Sequence, residues 1–325
     1  MEDTTSLYTF VDDEVKPPVK KAYILYDRNG DRLGPLKFRQ ENVYLEAMYG
    51  NGAYIGRTDT GKLHIVHLGQ DIYKVVDVLA AGEEYYCPTY GCTGGGAFIE
   101  TTEDMLFEYP KRKNGKIMSD FYLISKNGEI LWKRSYNGEV VYNVLSPDGS
   151  YVALMYTIPV QKETWDEPRI VPFEGEVEII RRDGTTVSTF QTGFSSSRDQ
   201  FSQDNEYILF REQHQVIKIF AVQTGELVNR ILFPGSRPVE EVVLNKPLGV
   251  IAVLRNVTSG WGGERRITVV PIEGTAKRPV WEYSLGEFDR RSDDFSHFTH
   301  LSISHDGSEI SVLSNKKYLR FERVE

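Results

Sequence analysis

The sequence predicts an all-β protein built from several antiparallel sheets of the same construction. Its 19 Tyr and 16 Phe residues, together with many Val, Ile and Thr residues, favour half-buried pleated surfaces over helices. No stretch shows the apolar period of about 3.6 residues that an amphipathic helix requires. In addition, one pattern recurs: an alternating strand, a polar turn and a dense apolar strand, clearest at residues 139–156, EVVYNVLSPDGSYVALMY.

The turn within this pattern returns twice in clear form. Residues 202–205 (SQDN) precede the apolar run 207–210, and residues 304–307 (SHDG) precede the run 310–313. Three weaker copies complete the set. The aligned inner turns then lie at Tyr49, Thr93, Ser146, Ser202, Asn245 and Ser304.

A second pattern predicts an outer hairpin in each unit. It consists of a short apolar strand followed within a few residues by glycine, which supplies the positive φ that a tight hairpin needs. The five glycines of this pattern are Gly30, Gly128, Gly184, Gly225 and Gly274.

The spacing of the inner turns identifies the architecture. Successive turns are 43 to 59 residues apart, which is typical of β-propeller blades and longer than most helical repeats. From Ser304 to Tyr49 through the two chain ends there are 70 residues, room for one more blade plus a leader. We therefore expect a six-bladed β-propeller of four-stranded antiparallel blades, closed by pairing of N- and C-terminal strands; seven blades is the alternative.

These boundaries divide the chain into two parts. Residues 1–20 are acidic, contain Pro17 and Pro18, and are predicted to form a leader or strap. Residues 21–325 are predicted to form a single propeller domain, because each blade packs only on its neighbours and the usual size limit of one core does not apply.

The Ser-Pro-Asp-Gly turn at 146–149, followed by an apolar strand, and the glycine-containing outer hairpins resemble the WD40-like, YVTN-type and TolB-type β-propeller superfamily. The resemblance covers nearly the whole chain and implies a propeller fold. A superfamily of this breadth carries many functions, so the resemblance implies no particular activity.

Charge and composition narrow the possible partners. With 38 basic and 47 acidic residues the formal charge is -9, which repels phosphate backbones and anionic lipid. We therefore expect neither nucleic-acid binding nor membrane insertion. The first twenty residues contain no apolar run of the kind found in signal peptides, so a soluble, cytoplasmic protein is expected, with a secreted or cell-envelope location as the alternative if a leader has been removed.

The two cysteines leave two possibilities open. Cys87 and Cys92 flank a short turn, and such a turn can bring two strand ends within disulfide reach or leave two reduced thiols. A zinc site needs four ligands at suitable spacing, and the sequence around this pair does not supply them.

The predicted binding residues come from three long connections between second and third strands, at residues 105–116, 157–173 and 256–266. Exposed Trp, Tyr and Arg residues are enriched at protein interfaces. The sequence therefore predicts one loop-rich face that binds another protein, unless these aromatic rings pack on their own loops. The candidate residues are Phe107, Tyr109, Trp165, Trp261, Arg265 and Arg266.

A metal-dependent (calcium) hydrolase or lyase with its site in a central pore is the alternative function, because the innermost strands of a propeller line its pore and oxygen ligands suit calcium. Candidate pore residues are Glu46, Glu84, Glu139, Asn143, Glu241 and His300. No nucleophile, phosphate-binding or dinucleotide-binding motif is present. We therefore assign no catalytic residue, metal ligand or cofactor, and the primary prediction is a non-catalytic interaction module whose oligomeric state the sequence does not define.

Overall fold

The computed structural model describes part of the chain. Its described residues are 8–11, 23–26, 32–35, 43–48, 53–58, 60–67, 72–86, 96–137, 139–157, 173–194, 200–212, 216–233, 239–245, 248–256, 262–273, 281–289, 298–304, 306, 308–314 and 318–322. The chain divides into two compact units. The first comprises Met1–Val140 with Arg182–Gly184, and the second comprises Val141–Arg181 with Thr185–Glu325.

The first unit contains three antiparallel sheets among its described strands. The first sheet is formed by β1 to β3: Tyr8–Val11, Tyr23–Tyr26 and Arg32–Pro35. The second is formed by β4 to β7: Val43–Met48, Ala53–Thr58, Lys62–His67 and Ile72–Asp77. The third is formed by β8 to β12: Glu83–Tyr85, Gly96–Ile99, Asp104–Lys113, Lys116–Ile124 and Ile130–Asn137.

The third sheet departs from the simple four-stranded pattern. Two short strands, β8 and β9, both pair with the long strand β10 on the side away from β11. Strand β9 pairs with residues 104–107 and β8 with residues 111–113. The first position of this sheet is thus shared by two separate segments of chain.

Four further sheets follow, and apart from the first two residues of β13 they belong to the second unit. The first of these is formed by β13 to β16: Glu139–Leu145, Tyr151–Thr157, Phe173–Arg181 and Thr186–Phe194. The second is formed by β17 to β20: Gln200–Phe201, Tyr207–Glu212, Val216–Ala221 and Leu227–Leu232. The third is formed by β21 to β24: Val239–Asn245, Val250–Asn256, Gly262–Pro271 and Trp281–Asp289. The last is formed by β25 to β27: Phe298–Ile303, Glu309–Ser314 and Tyr318–Glu322.

The four-stranded sheets are antiparallel meanders in which strands adjacent in sequence are adjacent in space. Sheets of this construction are the blades of β-propellers, so the predicted all-β class and blade type are confirmed. The described strands form seven sheets, and Tyr23–Tyr26 and Tyr318–Glu322 belong to different ones. Within the described residues no sheet pairs strands from both chain ends, so six blades, the alternative of seven, and closure all stay predictions.

The predicted inner turn is a repeated hydrogen-bonded motif. At three turns a serine amide donates to the carbonyl of the residue five positions later at 2.8–3.0 Å, and the serine hydroxyl accepts from that residue's amide at 2.9–3.0 Å. The pairs are Ser146–Tyr151, Ser202–Tyr207 and Ser304–Glu309. The recurrence predicted at these three serines is therefore confirmed, whereas Tyr49 and Thr93 lie outside the described residues.

An aspartate completes each of these turns. The serine hydroxyl donates to the carboxylate two positions later at 2.6–2.9 Å, in Asp148, Asp204 and Asp306. Hydrogen bonds from Ser304 and Ser308 lower the pKa of Asp306 to about 2. The charged form of the carboxylate therefore orders the turn, which explains why the Ser-x-Asp pattern recurs.

The outer hairpins also follow the prediction where they are described. Gly184 has a φ of 87°, a conformation that residues with a Cβ rarely adopt. A Cβ at this position would also lie 3.0 Å from the Cβ of Trp132. The glycine is required both by the turn and by the close approach of the tryptophan side chain. Gly30 and Gly274 lie outside the described residues.

An aromatic cluster fills the space between two neighbouring sheets, β13–β16 and β17–β20. The rings of Phe190 and Phe220 stack with centroids 4.2 Å apart, and Phe210 packs edge-on against both at 5.8 and 6.0 Å. Phe210 is 1% exposed and belongs to a buried cluster with Val177 and Ile179. Burial of these rings is thus a main source of stability in the second unit.

We expect Phe210→Ala to lower the free energy of unfolding by about 3–5 kcal/mol, because it removes buried area and leaves a cavity. The matched control is Leu232→Ala, since Leu232 is 59% exposed on an outer strand. Chemical denaturation measures both variants. Equal losses in the two variants would contradict the core role of Phe210.

Candidate interaction surface

The structure overturns the expected exposure of Phe107 and Tyr109. Residues 105–116 are not a loop: β10 runs to Lys113 and β11 begins at Lys116, leaving a tight hairpin. The side chains of Phe107 and Tyr109 are 1% and 0% exposed and belong to the core of the first unit. They lie on the face of β10 that packs against β5 and β6. Neither ring is exposed, so neither can contact a partner directly.

Arg265 and Arg266 lie in the second unit, within strand β23 rather than in a loop. Arg265 is buried at 4% exposure. Arg266 is partly exposed, and its Nε and Nη2 donate to the two carboxylate oxygens of Glu264 at 2.9 and 2.7 Å. Its Nη1 donates to Glu282 at 3.3 Å. This guanidinium is therefore oriented by its own sheet.

The hydrogen bonds and charges around Arg266 also change the ionisation of its glutamate partners. Hydrogen bonds from Arg266 and Ser284 lower the pKa of Glu264 to about 2. Glu282 also accepts from Arg255 at 2.7 Å and from Thr268 at 3.1 Å. Two arginines and two glutamates thus neutralise one another on this face of the sheet.

Trp165 and Trp261 lie outside the described residues, so their predicted role stays a prediction. The adjoining strands are described. The predicted loop 157–173 coincides with the end of β14 and the start of β15, whereas the predicted loop 256–266 is too long because β23 begins at Gly262. Cys87 and Cys92 also lie outside the described residues.

The structure shows an exposed aromatic group that the sequence analysis missed. Trp281 and Tyr283 occupy alternate positions of the outer strand β24 and are 37% and 43% exposed. Their rings are nearly parallel, with centroids 5.9 Å apart and an interplanar angle of 13°. Tyr283 also contacts Phe321 of β27 at 4.4 Å. We call these three residues the aromatic surface.

Strand register explains how the aromatic surface forms. Trp281 pairs with Val269 and Tyr283 with Ile267, both of which are buried against the last sheet. Successive side chains of a strand alternate between faces, so Trp281 and Tyr283 share this apolar side while Glu282 and Ser284 take the other. Because β24 is the outermost strand of its sheet, the rings lie at the margin of the core and stay partly exposed. The signal in the sequence is the alternation Trp-Glu-Tyr-Ser-Leu.

A second feature, in the first unit, is a buried ion cluster centred on Asp120 and Lys111. The Lys111 ammonium donates to Asp120 at 2.8 Å and to Glu83 at 3.0 Å. Lys133 forms an ion pair with the same Asp120 oxygen at 2.7 Å, and Tyr122 donates to it at 3.3 Å. The side chains of Lys111, Asp120 and Glu83 are at most 6% exposed. The cluster connects the short strand β8 to β10, β11 and β12.

Opposing effects set the ionisation of this cluster. Burial alone raises the pKa of Glu83, but hydrogen bonds from the Ala80 amide and Lys111 and the nearby lysine charges lower it overall. Burial likewise lowers the pKa of Lys111, and its hydrogen bonds and attraction to Asp120 and Glu83 raise it overall. Burial, with the charge of Asp120, raises the pKa of Tyr122. The groups are thus held as a lysine cation between two carboxylates beside a neutral phenol.

The candidate pore residues all lie on the first strand of a sheet, or on β8, which shares that position. Within the described residues, no group of three or more His, Cys, Asp or Glu side chains is placed to hold a metal ion. The described segments also contain no helix with the length and apolar character of a membrane span. The candidate residues are Glu46, Glu84, Glu139, Asn143, Glu241 and His300.

Comparisons with known proteins identify structural neighbours alone. No protein-family model matches the chain, and no curated protein matches its sequence. The solved Dos1 propeller is similar with a TM-score of 0.47 and 11% identity, over 90% of this chain and 70% of that one. The C-terminal WD40 domain of Sif2 is similar with a TM-score of 0.43 and 10% identity, over 94% and 76%. At these values neither neighbour carries an inference about function.

We expect Lys111→Met to lower the free energy of unfolding by about 3–5 kcal/mol, because it leaves Asp120 and Glu83 buried without their shared cation. Lys126→Met is the matched control. Lys126 pairs with Glu103 at 3.5 Å, and both side chains are more than 40% exposed, so the loss there is under about 1 kcal/mol. Denaturant titration of the three proteins measures the difference.

The pH dependence of that difference provides a further check. The lowered pKa of Glu83 gives stability that is present above its usual value of about 4.3 and is lost as pH falls through the folded value. The raised pKa of Lys111 gives stability that is present below about 10.4 and is lost as pH rises through the folded value. The loss in Lys111→Met should therefore be greatest at neutral pH and shrink at both extremes. A loss independent of pH would show that packing, not charge, holds the cluster.

Proposed function

We propose that the protein is a non-catalytic interaction module that binds another protein through the aromatic surface. The supporting observation is the parallel, partly exposed pair Trp281 and Tyr283 on an outer strand. Tryptophan and tyrosine offer a large rigid contact area at little entropic cost, and they dominate the binding energy of many interfaces. Exposed aromatic groups of this kind mark interaction sites on otherwise polar surfaces.

The residues predicted from the sequence are assigned two kinds of role in this proposal. Trp165 and Trp261 are proposed as contacts of a second, loop-built patch, and Arg266 of strand β23 as a further contact. Phe107, Tyr109 and Arg265 are buried, so each is proposed to stabilise its own strand, β10 in the first unit and β23 in the second, and not to contact a partner. The negative net charge supports a protein partner over nucleic acid or membrane.

The test uses capture of partners from the native source, quantified by mass spectrometry. We expect the double variant Trp281→Ala/Tyr283→Ala to weaken capture of a specific partner by about 2 kcal/mol, the scale of a hot spot, while its melting temperature stays close to that of the wild type. Tyr318→Ala is the control, because Tyr318 is 59% exposed and lies on the opposite face of β27 from Phe321.

Two outcomes would contradict the proposal. The first is unchanged capture by the double variant with intact folding. The second is a large fall in its melting temperature with unchanged capture, which would make Trp281 and Tyr283 packing residues. Trp165→Ala and Trp261→Ala, tested in parallel, show whether a loop-built patch contributes.

We also propose that the blades number six and that strands from both chain ends close the last blade. What supports the number six is the sequence pattern, which contains six inner turns spaced 43 to 59 residues apart, one for each blade. Closure removes open sheet edges and links the stability of the two ends. Truncation after Ser314, which deletes β27, should then lower the melting temperature of the whole chain. A truncated protein that keeps its full cooperative melt would exclude terminal closure.

A further inference from the structure

We infer that the edge of β10 beside β8 is a second binding site, and that β8 occupies this site as the chain's own ligand. The site takes an extended acidic segment of another protein that carries a glutamate and a tyrosine two positions apart. β8 has this pattern in Glu83 and Tyr85. The site lies in the first unit and does not involve the aromatic surface of the second.

β8 is a short strand that pairs with only part of β10. Its ladder covers residues 83–85, opposite residues 111–113, and the next amide, of Tyr86, donates to the Pro110 carbonyl at 3.2 Å. β9 pairs with residues 104–107 of the same edge. A ladder of three residues supplies few backbone hydrogen bonds, so the side chains of β8 must contribute much of its attachment.

The Glu83 carboxylate is recognised by two lysines of β10. It pairs with Lys111 at 3.0 Å and with Lys113 at 3.7 Å, and the Glu83 side chain is 6% exposed. The Ala80 amide also donates to this carboxylate, at 2.9 Å, within the turn that precedes β8. Hydrogen bonds between charged groups are about twice as strong as neutral ones. A carboxylate at this position is therefore the main charged determinant of the site.

The Tyr85 ring is the second determinant. It packs edge-on against Tyr109 with centroids 5.5 Å apart, and the guanidinium carbon of Arg57 lies 3.6 Å from its centroid. Aromatic pairs prefer this edge-on arrangement, and cations bind the faces of aromatic rings. Glu83 and Tyr85 are alternate residues of one strand, so their side chains lie on the same side of it. A segment that replaces β8 needs the same two side chains at the same spacing.

The surface that contacts β8 is basic, although the chain as a whole has a formal charge of -9. Four basic side chains contact β8 or the adjoining buried aspartate on this side of the sheet, and that aspartate pairs with two of them. An acidic segment is attracted to such a surface and a basic one is repelled. These five residues are Arg57, Lys111, Lys113, Lys133 and Asp120.

The receptor side of the site does not depend on β8 for its charge balance. Lys111 also donates to Asp120 at 2.8 Å, and Lys133 pairs with the same carboxylate oxygen at 2.7 Å. β10 is paired along residues 105–113 with β11 on its other side. Displacement of β8 therefore leaves the Lys111 cation paired, and an incoming segment finds the site already ordered.

A separate protein segment suits the site better than a second copy of this chain. β8 is internal to the chain, between β7 and β9. A second copy could supply the segment only by withdrawing its own β8 from its own site. A separate segment that adds as a strand displaces one β8 alone, and this kind of strand addition is a common mode of peptide recognition.

The experiment separates the segment from its site. The protein is the full chain with Glu83→Ala/Tyr85→Ala, which removes the two side chains of β8 that occupy the site. The probe is a fluorescent peptide with the sequence of residues 80–86, AAGEEYY. The matched probe has the same composition in the order AAGYYEE. Fluorescence anisotropy measures the binding of each peptide, and a thermal melt shows that the variant is folded.

We expect AAGEEYY to bind the double variant about tenfold or more tightly than it binds the wild type, because an intact β8 competes for the site at a high effective concentration. This binding should weaken as salt rises, because it depends on charge. AAGYYEE should bind neither protein.

Further substitutions in the double variant locate the site. Lys113→Glu should weaken binding of AAGEEYY by about threefold or more, since it reverses a charge that pairs with the glutamate. Lys126→Glu is the matched control, because Lys126 is 52% exposed and pairs with Glu103. Trp281→Ala/Tyr283→Ala should leave peptide binding unchanged, so the outcome here is independent of the partner-capture test of the aromatic surface.

A measurement on the wild type covers the case in which the double variant does not fold. Millimolar AAGEEYY should accelerate hydrogen exchange at the amides of residues 83–86, because a bound peptide displaces β8 from β10. AAGYYEE at the same concentration should leave this exchange unchanged.

Several results would overturn the inference. These are absent binding of AAGEEYY to the folded double variant, equal binding of both peptides, binding that Lys113→Glu does not weaken, or, in the wild type, hydrogen exchange at residues 83–86 that AAGEEYY does not change. A wild-type dimer that dissociates when AAGEEYY is added, detected by sedimentation, would show that a second copy supplies the segment and would overturn the assignment to a different protein.

Discussion

Burial of both faces of the sheets β17–β20 and β21–β24 is the constraint on which the second unit depends. In β18, Ile208 and Phe210 pack towards β13–β16, while Leu209 between them packs towards β21–β24. In β22, the alternate side chains of 251–254 divide in the same way between two clusters. Strands buried on both faces must be apolar at nearly every position, which is why the middle strands appear in the sequence as dense apolar runs. The polar turns at Ser146, Ser202 and Ser304 precede these runs and separate each of them from the strand before it.

The same constraint explains where exposed chemistry can occur. The middle strands of these two sheets have no free face, so exposed side chains are concentrated on outer strands and connections. Outer strands are apolar where they overlap the neighbouring sheet and exposed where they extend past it. Leu285 packs in the core between the last two sheets, whereas Trp281 and Tyr283, on the same strand, remain partly exposed. The aromatic surface is therefore the margin of a core, which makes it rigid in advance of binding.

Local patterns were predictable from the sequence, and long-range placement was not. The serine turns and outer hairpins depend on residues within a few positions of one another, and the described examples were confirmed. The strand β10 was misassigned as a loop because Pro110, Lys111 and Arg112 interrupt its alternation. Lys111 is tolerated there since Glu83 and Asp120, distant in sequence, complete its ion pairs. Tyr85, which is also distant in sequence, packs edge-on against Tyr109 of β10. The exposure of Trp281 was not predicted, because the alternating pattern of its strand fits a buried side chain as well as an exposed one.

Both units place basic side chains on carboxylates and aromatic rings of their own sheets. In the first unit, lysine and arginine are drawn onto buried partners: Lys111 lies between two carboxylates, and Arg57 lies 3.6 Å over the ring of Tyr85. Those aromatic faces are already occupied by the chain's own cations. In the second unit, Trp281 and Tyr283 stack on each other, and Arg255 and Arg266 are held by Glu264 and Glu282 on the other face of the sheet. The second unit makes an internal contact of the same kind, since the guanidinium of Arg255 lies 5.6 Å from the ring centroid of Phe233.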